Sequence, residues 1–324
     1  MAEEEGIECL DIKADKDLVD VCIRGAMSNI KKVKLPRLLL EAEHIINVPI
    51  LKAHASMVFS GALKNIKGVV QDKVHLDMHQ ENLAGAMMDV WWATRADISI
   101  MDIWNPAAGF GPHTPVPLHV GVIAGSYDPV AWDRVACDIV GIDPDGVDYF
   151  AVAEEAGYGT TDMNHIEVVG EPVENCYKKM WIPYLGGMDR WPEYTICKDG
   201  ACSSCQAMLS LNMETLRAIG TYDDHTDMVV VIGYDNDDNI PKDVPDDHLV
   251  LHGRCTRKYL KDHPGAFWIK GCPPAEVCLY MTVDEGRLLD FSEPAYMRDR
   301  MAKDHPIWEQ YVYDQAEAFY NSAK

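Results

Sequence analysis

Short apolar runs alternate with amphipathic stretches along the first half of the chain. VDVCIR, HIINVPI, ADISIMDIW and LHVGVIAG are rich in β-branched residues, as strands buried in a mostly parallel sheet are. Between them VKLPRLLLEAE, SMVFSGALKNIKG, ENLAGAMMDVWWATR and DPVAWDRVACDIVG carry helical patterns. In the last of these Asp128 suits an N-cap, Pro129 the first helical position and Gly141 the position just past the end. Strand–helix alternation predicts an α/β fold, a mostly parallel sheet flanked by helices.

The period is lost in EPVENCYKKMWIPYLGGMDRWPEYT, where Pro, Gly and aromatic residues crowd together. This predicts an α/β domain over residues 1–175 and a smaller α/β, cysteine-bearing module over 176–324. In the module SSCQAMLSLNMETLRAIG reads as a helix, and MVVVIGY and HLVLHG read as strands. A short helix around Thr256 to Leu260, the strand AFWIKG, the helical PAEVCLYMTV and a polar helical tail follow.

Composition narrows the function. The chain has 324 residues, 48% of them hydrophobic and 25% charged, which suits a soluble protein of two domains. Its 52 acidic and 29 basic side chains give a formal net charge of −23. That charge repels nucleic acid and anionic membrane, and both are set aside as partners. The opening MAEEEGIECLD is acidic, and no apolar run reaches the length of a membrane span. A cytoplasmic protein is expected, with its ten cysteines kept as thiols rather than paired in disulfides. A homo-oligomer remains open.

Six cysteines fall between residues 197 and 278, in ICKDGACSSCQ, HGRCTRKY and KGCPPAEVC. Cys197, Cys202 and Cys205 have the spacing of a plant-type ferredoxin loop, but the next cysteine is distant and the residues after Cys205 look helical. The reading that fits better takes Cys202, Cys205, Cys255 and Cys272 as thiolate ligands of one 4Fe–4S cluster, with Cys197 in reserve and Cys278 spare. Cys255 and Cys272 each follow a strand, and the carboxyl ends of neighbouring strands converge on one sheet edge. Gly253 and Gly271 allow backbone to approach a cluster. A four-cysteine zinc site and wholly structural, unliganded cysteines packed as small hydrophobes are the alternatives.

A second constellation lies in LKAHASMVFSGALKNIKG and KVHLDMH. Lys52, Lys64 and Lys67 suggest an anion site in an otherwise acidic chain, with Asp102 and His113 completing a polar pocket. His54 and His75, with Lys52, are the candidates for acid–base chemistry there, because imidazole titrates near neutrality. The plain alternative is a solvated lysine surface.

The pieces INVPILKAH, SGALKNIKG, VHLDMH, ISIMDIW, GFGPHTP, GVIAGSYDPVAWDRVACDIVGIDP and IEVVGEP, in that order from about Ile46 to Gly170, resemble the family called domain of unknown function 362. MVVVIGYD, HGRCTRKY and KGCPP are similar, more loosely, to the cluster-bearing tail of some members. The resemblance implies an α/β domain and an iron–sulfur association where such cysteines occur, and it implies no settled reaction. Members carry more chain before INVPILKAH, so the first part of the domain is expected to be missing or trimmed.

Three functions compete. One is a redox protein, an oxidoreductase component passing electrons to a partner protein or to a small anionic ligand. Another is a non-redox enzyme on a small anion, with a structural cluster or zinc. The third is an accessory or maturation protein.

Overall fold

The computed structural model describes residues 4–24, 26–80, 82–111, 114–183, 188–289 and 292–322. Two compact units emerge: Met1–Lys52, Phe59–Pro106 and Pro117–Met180 form the first, and Ala53–Val58, Ala107–Val116 and Trp181–Lys324 the second. Helices and sheets are mixed throughout, so the fold is α/β. Among the described residues no helix is long and apolar enough to cross a membrane.

The chain opens with an antiparallel pair, β1 (Leu18–Cys22) and β2 (Lys32–Pro36). The helix expected over VKLPRLLLEAE is therefore corrected. Val33 and Leu35 are buried while Lys32 and Lys34 point to water, a strand alternation. Pro36 also disfavours a helix in the residues before it, leaving only the short α1 (Arg37–Glu41). A larger sheet takes β3 (Ile46–Asn47), β4 (Ile50–His54), β5 (Val58–Ser60) and β6 (Ile98–Phe110) in the order β3-β6-β4-β5, with β7 (Thr114–Pro117) and β8 (Val122–Ser126) also paired to β6. β6 has β3 as a parallel neighbour and β8 as an antiparallel one, so this sheet is mixed.

The helix expected across SMVFSGALKNIKG is also corrected. Val58–Ser60 are strand β5, and α2 (Ala62–Asn65) starts only after Gly61. A 3-10 turn over Ile66–Val69 leads on to α3 (Asp72–Gln80) and α4 (Leu83–Thr94). α5 (Pro129–Val140) is built as its sequence predicts. The Asp128 carboxylate accepts the Val130 and Ala131 N–H groups at 2.8 Å, Pro129 starts the helix, and Gly141 ends it at φ 67°. The short α6 (Tyr149–Glu155) and α7 (Val173–Cys176) complete the unit.

The second unit contains a four-stranded sheet in the order β12-β11-β10-β9, parallel throughout. Its strands are β9 (Thr195–Cys197), β10 (Val229–Ile232), β11 (Leu249–His252) and β12 (Phe267–Ile269). β10 and β11 are buried at every residue, hence their continuous apolar reading. One face packs Val230, Ile232, Val250 and Ile269 with residues of α8 (Ser203–Ile219) and α9 (Glu276–Glu285). The other packs Val229, Val231, Leu249 and Leu251 around Tyr259. α10 (Pro294–Ser322) adds a separate core in which Trp308 lies 5.1 Å from Phe110 between ring centroids, and its indole N–H donates to the Thr114 hydroxyl at 2.9 Å.

Candidate metal centre

A parallel sheet brings the carboxyl ends of its strands to one edge, and the loops leaving that edge can meet. Here the loop after β9 carries Cys202 and Cys205, the loop after β11 carries Cys255, and the loop after β12 carries Cys272. Cys202 is the N-cap of α8 and Cys205 lies in its first turn, so CxxC places both sulfurs at one helix start. The Arg254 N–H donates to the Gly271 carbonyl at 2.8 Å, tying the second loop to the third.

The glycines predicted to let backbone close in are required here. Gly253 has φ 108°, and a Cβ there would stand 3.6 Å from Cys205 Sγ and 3.9 Å from the Gly271 carbonyl. At Gly271, φ 140°, a Cβ would stand 2.5 Å from Pro274 Cα. Both φ values lie where only glycine is at ease, and at Gly271 a Cβ would also strike the Pro273–Pro274 backbone.

Electrostatics gives the same grouping. Hydrogen bonding from the Cys205 thiol, with N–H groups at the start of α8, holds the Cys202 thiol down at about 6. Cys205 is pushed far up, first by that same bond, then by burial and by the charges of Cys202, Cys255 and Cys272. Burial raises Cys255, and Cys272 and Cys202 add to it. At Cys205 and Cys255 the neighbouring thiolates oppose ionisation, as sulfurs close to one another do, and a cationic metal centre would relieve it. Among the described residues no three His, Cys, Asp or Glu side chains are spaced to hold a single metal ion. An iron–sulfur cube differs in that each thiolate takes its own iron. The soft four-sulfur donor set and the glycines beside Cys205 and before Cys272 fit such a cluster.

Cys197 sits elsewhere. It is buried with Val229 and Val231 on the opposite face of the sheet, and its thiol donates to the Asn239 carbonyl at 3.2 Å. Cys278 is buried on α9 within the core that contains Cys205.

His252 escaped the sequence reading. It ends β11 with no exposed surface, and neither ring nitrogen has a hydrogen-bond partner among the described residues. Such a group costs about 1–3 kcal/mol unless something satisfies it. A histidine closing an otherwise apolar strand, LVLH, was the available signal.

In the first unit the basic cluster is assembled by polar residues from distant segments. Buried Asp133 of α5 accepts the Ala62 and Leu63 N–H groups at 2.6 and 3.1 Å and the Tyr149 hydroxyl at 3.3 Å. Burial pushes its carboxyl up to about 7 even though these donors pull it down. Asn47 donates to the Ala62 carbonyl and accepts from Asn65 at 2.8 Å. These contacts fix α2 and the turn after it, which carry Lys64 and Lys67.

Lys67 is 2% exposed, and its Nζ lies 2.9 Å from His79 Nε2. Burial, then Lys64 and Lys13, pulls Lys67 down to about 7; burial, then Lys52, pulls Lys64 down to about 8. His79 falls to about 3 through burial and then Lys67. The His75 and His79 rings stand 6.0 Å apart. Among the described residues no carboxylate is within ion-pair distance of Lys64 or Lys67. With no carboxylate partner among the described residues, buried Lys67 and half-buried Lys64 suit an anion.

The other residues of the expected pocket fall differently. Asp102 accepts the Trp104 N–H at 2.7 Å in its own strand. His54 accepts the Ser56 N–H on Nδ1 at 3.1 Å and belongs to the second unit, whereas Lys52 belongs to the first. His113 lies outside the described residues. Asp133 and Asn47 went unnoticed in the sequence, since single buried polar residues leave no pattern.

The family model described as domain of unknown function (DUF362) matches residues 1–138. Over that segment the chain is similar to the DUF362 family. The match begins well upstream of Ile46, taking in β1 and β2, and stops short of Gly170. A curated relative, the Thylakoid-associated protein sll1697 of Synechocystis sp., is 33% identical over 135 residues, 40% of this chain and 42% of the relative. The chain thus spans about two fifths of that relative's length. No solved structure matches the chain. The basic cluster and Asp133 lie inside the DUF362 segment, and the four converging cysteines lie beyond it.

Proposed function

We propose that this chain is an iron–sulfur protein that binds one 4Fe–4S cluster through Cys202, Cys205, Cys255 and Cys272 and works in electron transfer. Its electron partner is a redox protein, and a small anion is its ligand at Lys64 and Lys67. The observation that carries the reading is the delivery of four cysteines, by three strand-end loops, to one edge of a parallel sheet. When bound, the cluster supplies a one-electron carrier. The chain's own groups do the rest. Gly253 leaves the space beside Cys205 Sγ open, Gly271 lets its loop close against Pro273 and Pro274, and exposed Cys255 is the ligand a partner reaches from solvent. The thylakoid association in the relative's name belongs to that protein; this chain we place in the cytoplasm.

Anaerobic purification with iron, acid-labile sulfide and zinc assays, followed by EPR of the reduced protein, tests the proposal. About four irons and four sulfides per chain are expected. Serine at Cys202, Cys205, Cys255 or Cys272 should each lower the iron content, while Cys197→Ser should leave it intact. One zinc per chain without sulfide would replace this reading by the structural-zinc one.

A further inference from the structure

Strand alternation puts Val250 and His252 on one face of β11, with Leu249 and Leu251 on the other. Val250 packs in the core that includes Cys205, and Cys202 lies against the same core. The register partners of His252 are Ile232 in β10 and Ile269 in β12, both members of that core. His252 therefore ends an inner strand on the cysteine side of the sheet, flanked by isoleucines. Its chain neighbour Gly253 is the residue whose absent Cβ faces Cys205 Sγ.

The adjoining backbone carbonyl is engaged elsewhere. The Gly253 carbonyl takes the Thr256 hydroxyl at 2.8 Å and the Trp268 indole N–H at 3.1 Å. Burial holds the imidazole neutral, its pKa drawn down to about 4, so the ring carries one N–H donor and one lone pair. An isoleucine or leucine would fill this place without an unsatisfied polar group. The histidine calls for an acceptor on the cysteine side, and sulfur is the acceptor that the proposed centre provides.

We propose that His252 donates its ring N–H to a sulfur of the iron–sulfur centre and so sets its reduction potential. The inference rests on the four-cysteine reading above. His252 is a positioning residue, not a ligand. A hydrogen bond to sulfur stabilises the more negative, reduced state, and removing it favours the oxidised one.

Potentiometric titration monitored by EPR tests this on the full chain. His252→Leu should keep the iron and sulfide content of the unsubstituted protein and shift the potential to a more negative value. His252→Gln, which keeps an N–H donor, should recover part of the shift. Protein labelled with 15N only in histidine supplies a second readout that needs no substitution: the reduced centre should show one weak nitrogen coupling, lost in His252→Leu. An unchanged potential in iron-replete His252→Leu overturns the proposal, as does a missing histidine coupling in the unsubstituted protein. Loss of iron from a folded His252→Leu chain also overturns it, because His252 would then be a ligand. If the unsubstituted protein takes up no iron, the four-cysteine reading itself has failed, a result distinct from all of these.

Discussion

Lys67 has its chemistry decided by burial. Exposed, its ammonium would stay charged far above neutrality; at 2% exposure and beside Lys64 it loses its proton near 7. Lys64 follows near 8. A bound anion favours the charged ammonium, so binding raises both pKa values and takes up protons once the free groups have begun to deprotonate. Anion affinity should therefore be highest below pH 7 and fall through pH 7 to 8, by about tenfold for each charge lost per pH unit beyond its pKa. Calorimetric titration with sulfate, whose own charge does not change in this range, checks it. Lys67→Met should weaken sulfate binding at pH 6 and flatten the remaining pH dependence. Equal affinity at pH 6 and pH 9 would leave the lysines as a buried structural pair. At this scale the sequence showed the cysteines and lysines because their types cluster along the chain. It concealed Asp133, Asn47 and His252, whose meaning comes from contacts across the fold.

Gly61 and Asp133 join two elements that the sequence separates widely. The Asp133 carboxylate of α5 fills the space over the start of α2, and a Cβ at Gly61 would overlap Asp133 Oδ1. Asp133→Ala should cost about 2–3 kcal/mol, because the Ala62 and Leu63 N–H groups lose a buried acceptor. Gly61→Ala should cost a similar amount by driving that acceptor away. In the double variant the two costs should fail to add, since the alanine methyl then meets only the edge of the Phe59 ring, 2.9 Å away, and no longer the carboxylate. Urea denaturation of all four proteins checks this cycle, and full additivity would mean that the contact does not couple α2 to α5. The elements themselves were legible in proportion to how far their pattern is local. α5 carries its cap, first-turn proline and terminal glycine in its own sequence, and β10 and β11 carry continuous apolar runs. β2 and β5 lay hidden in stretches whose spacing also fits a helix. The pairing of β2 with β1, and the burial of Phe59 and Ser60, decide those cases through residues far along the chain.

The cysteine loops belong wholly to the second unit, and the DUF362 segment ends before them. On the proposed iron–sulfur reading, charge would make their order depend on metal. In a chain of net charge −23, gathering four thiolates is opposed both by the whole protein and by each sulfur, as the raised Cys205 and Cys255 thiols record. In the proposed iron–sulfur centre iron would supply the opposing charge, so binding free energy would be spent on holding the loops together. The strands behind them are fixed independently by apolar packing: Val230, Ile232, Val250 and Ile269 are fully buried. Reconstitution with iron and sulfide should accordingly act on the loops more than on the sheet. Amide hydrogen exchange at residues 198–205, 253–256 and 270–275 should slow by at least about a hundredfold, corresponding to roughly 2.7 kcal/mol of added local stability. Exchange in β10 and in α5 should change far less. Cys255→Ser, carried through the same reconstitution, should show little of this gain at any of the three loops, because losing one ligand weakens the site they share. Protection confined to the loop around Cys202 and Cys205 would instead mean that only the CxxC pair binds metal, and Cys255 and Cys272 would leave the ligand set.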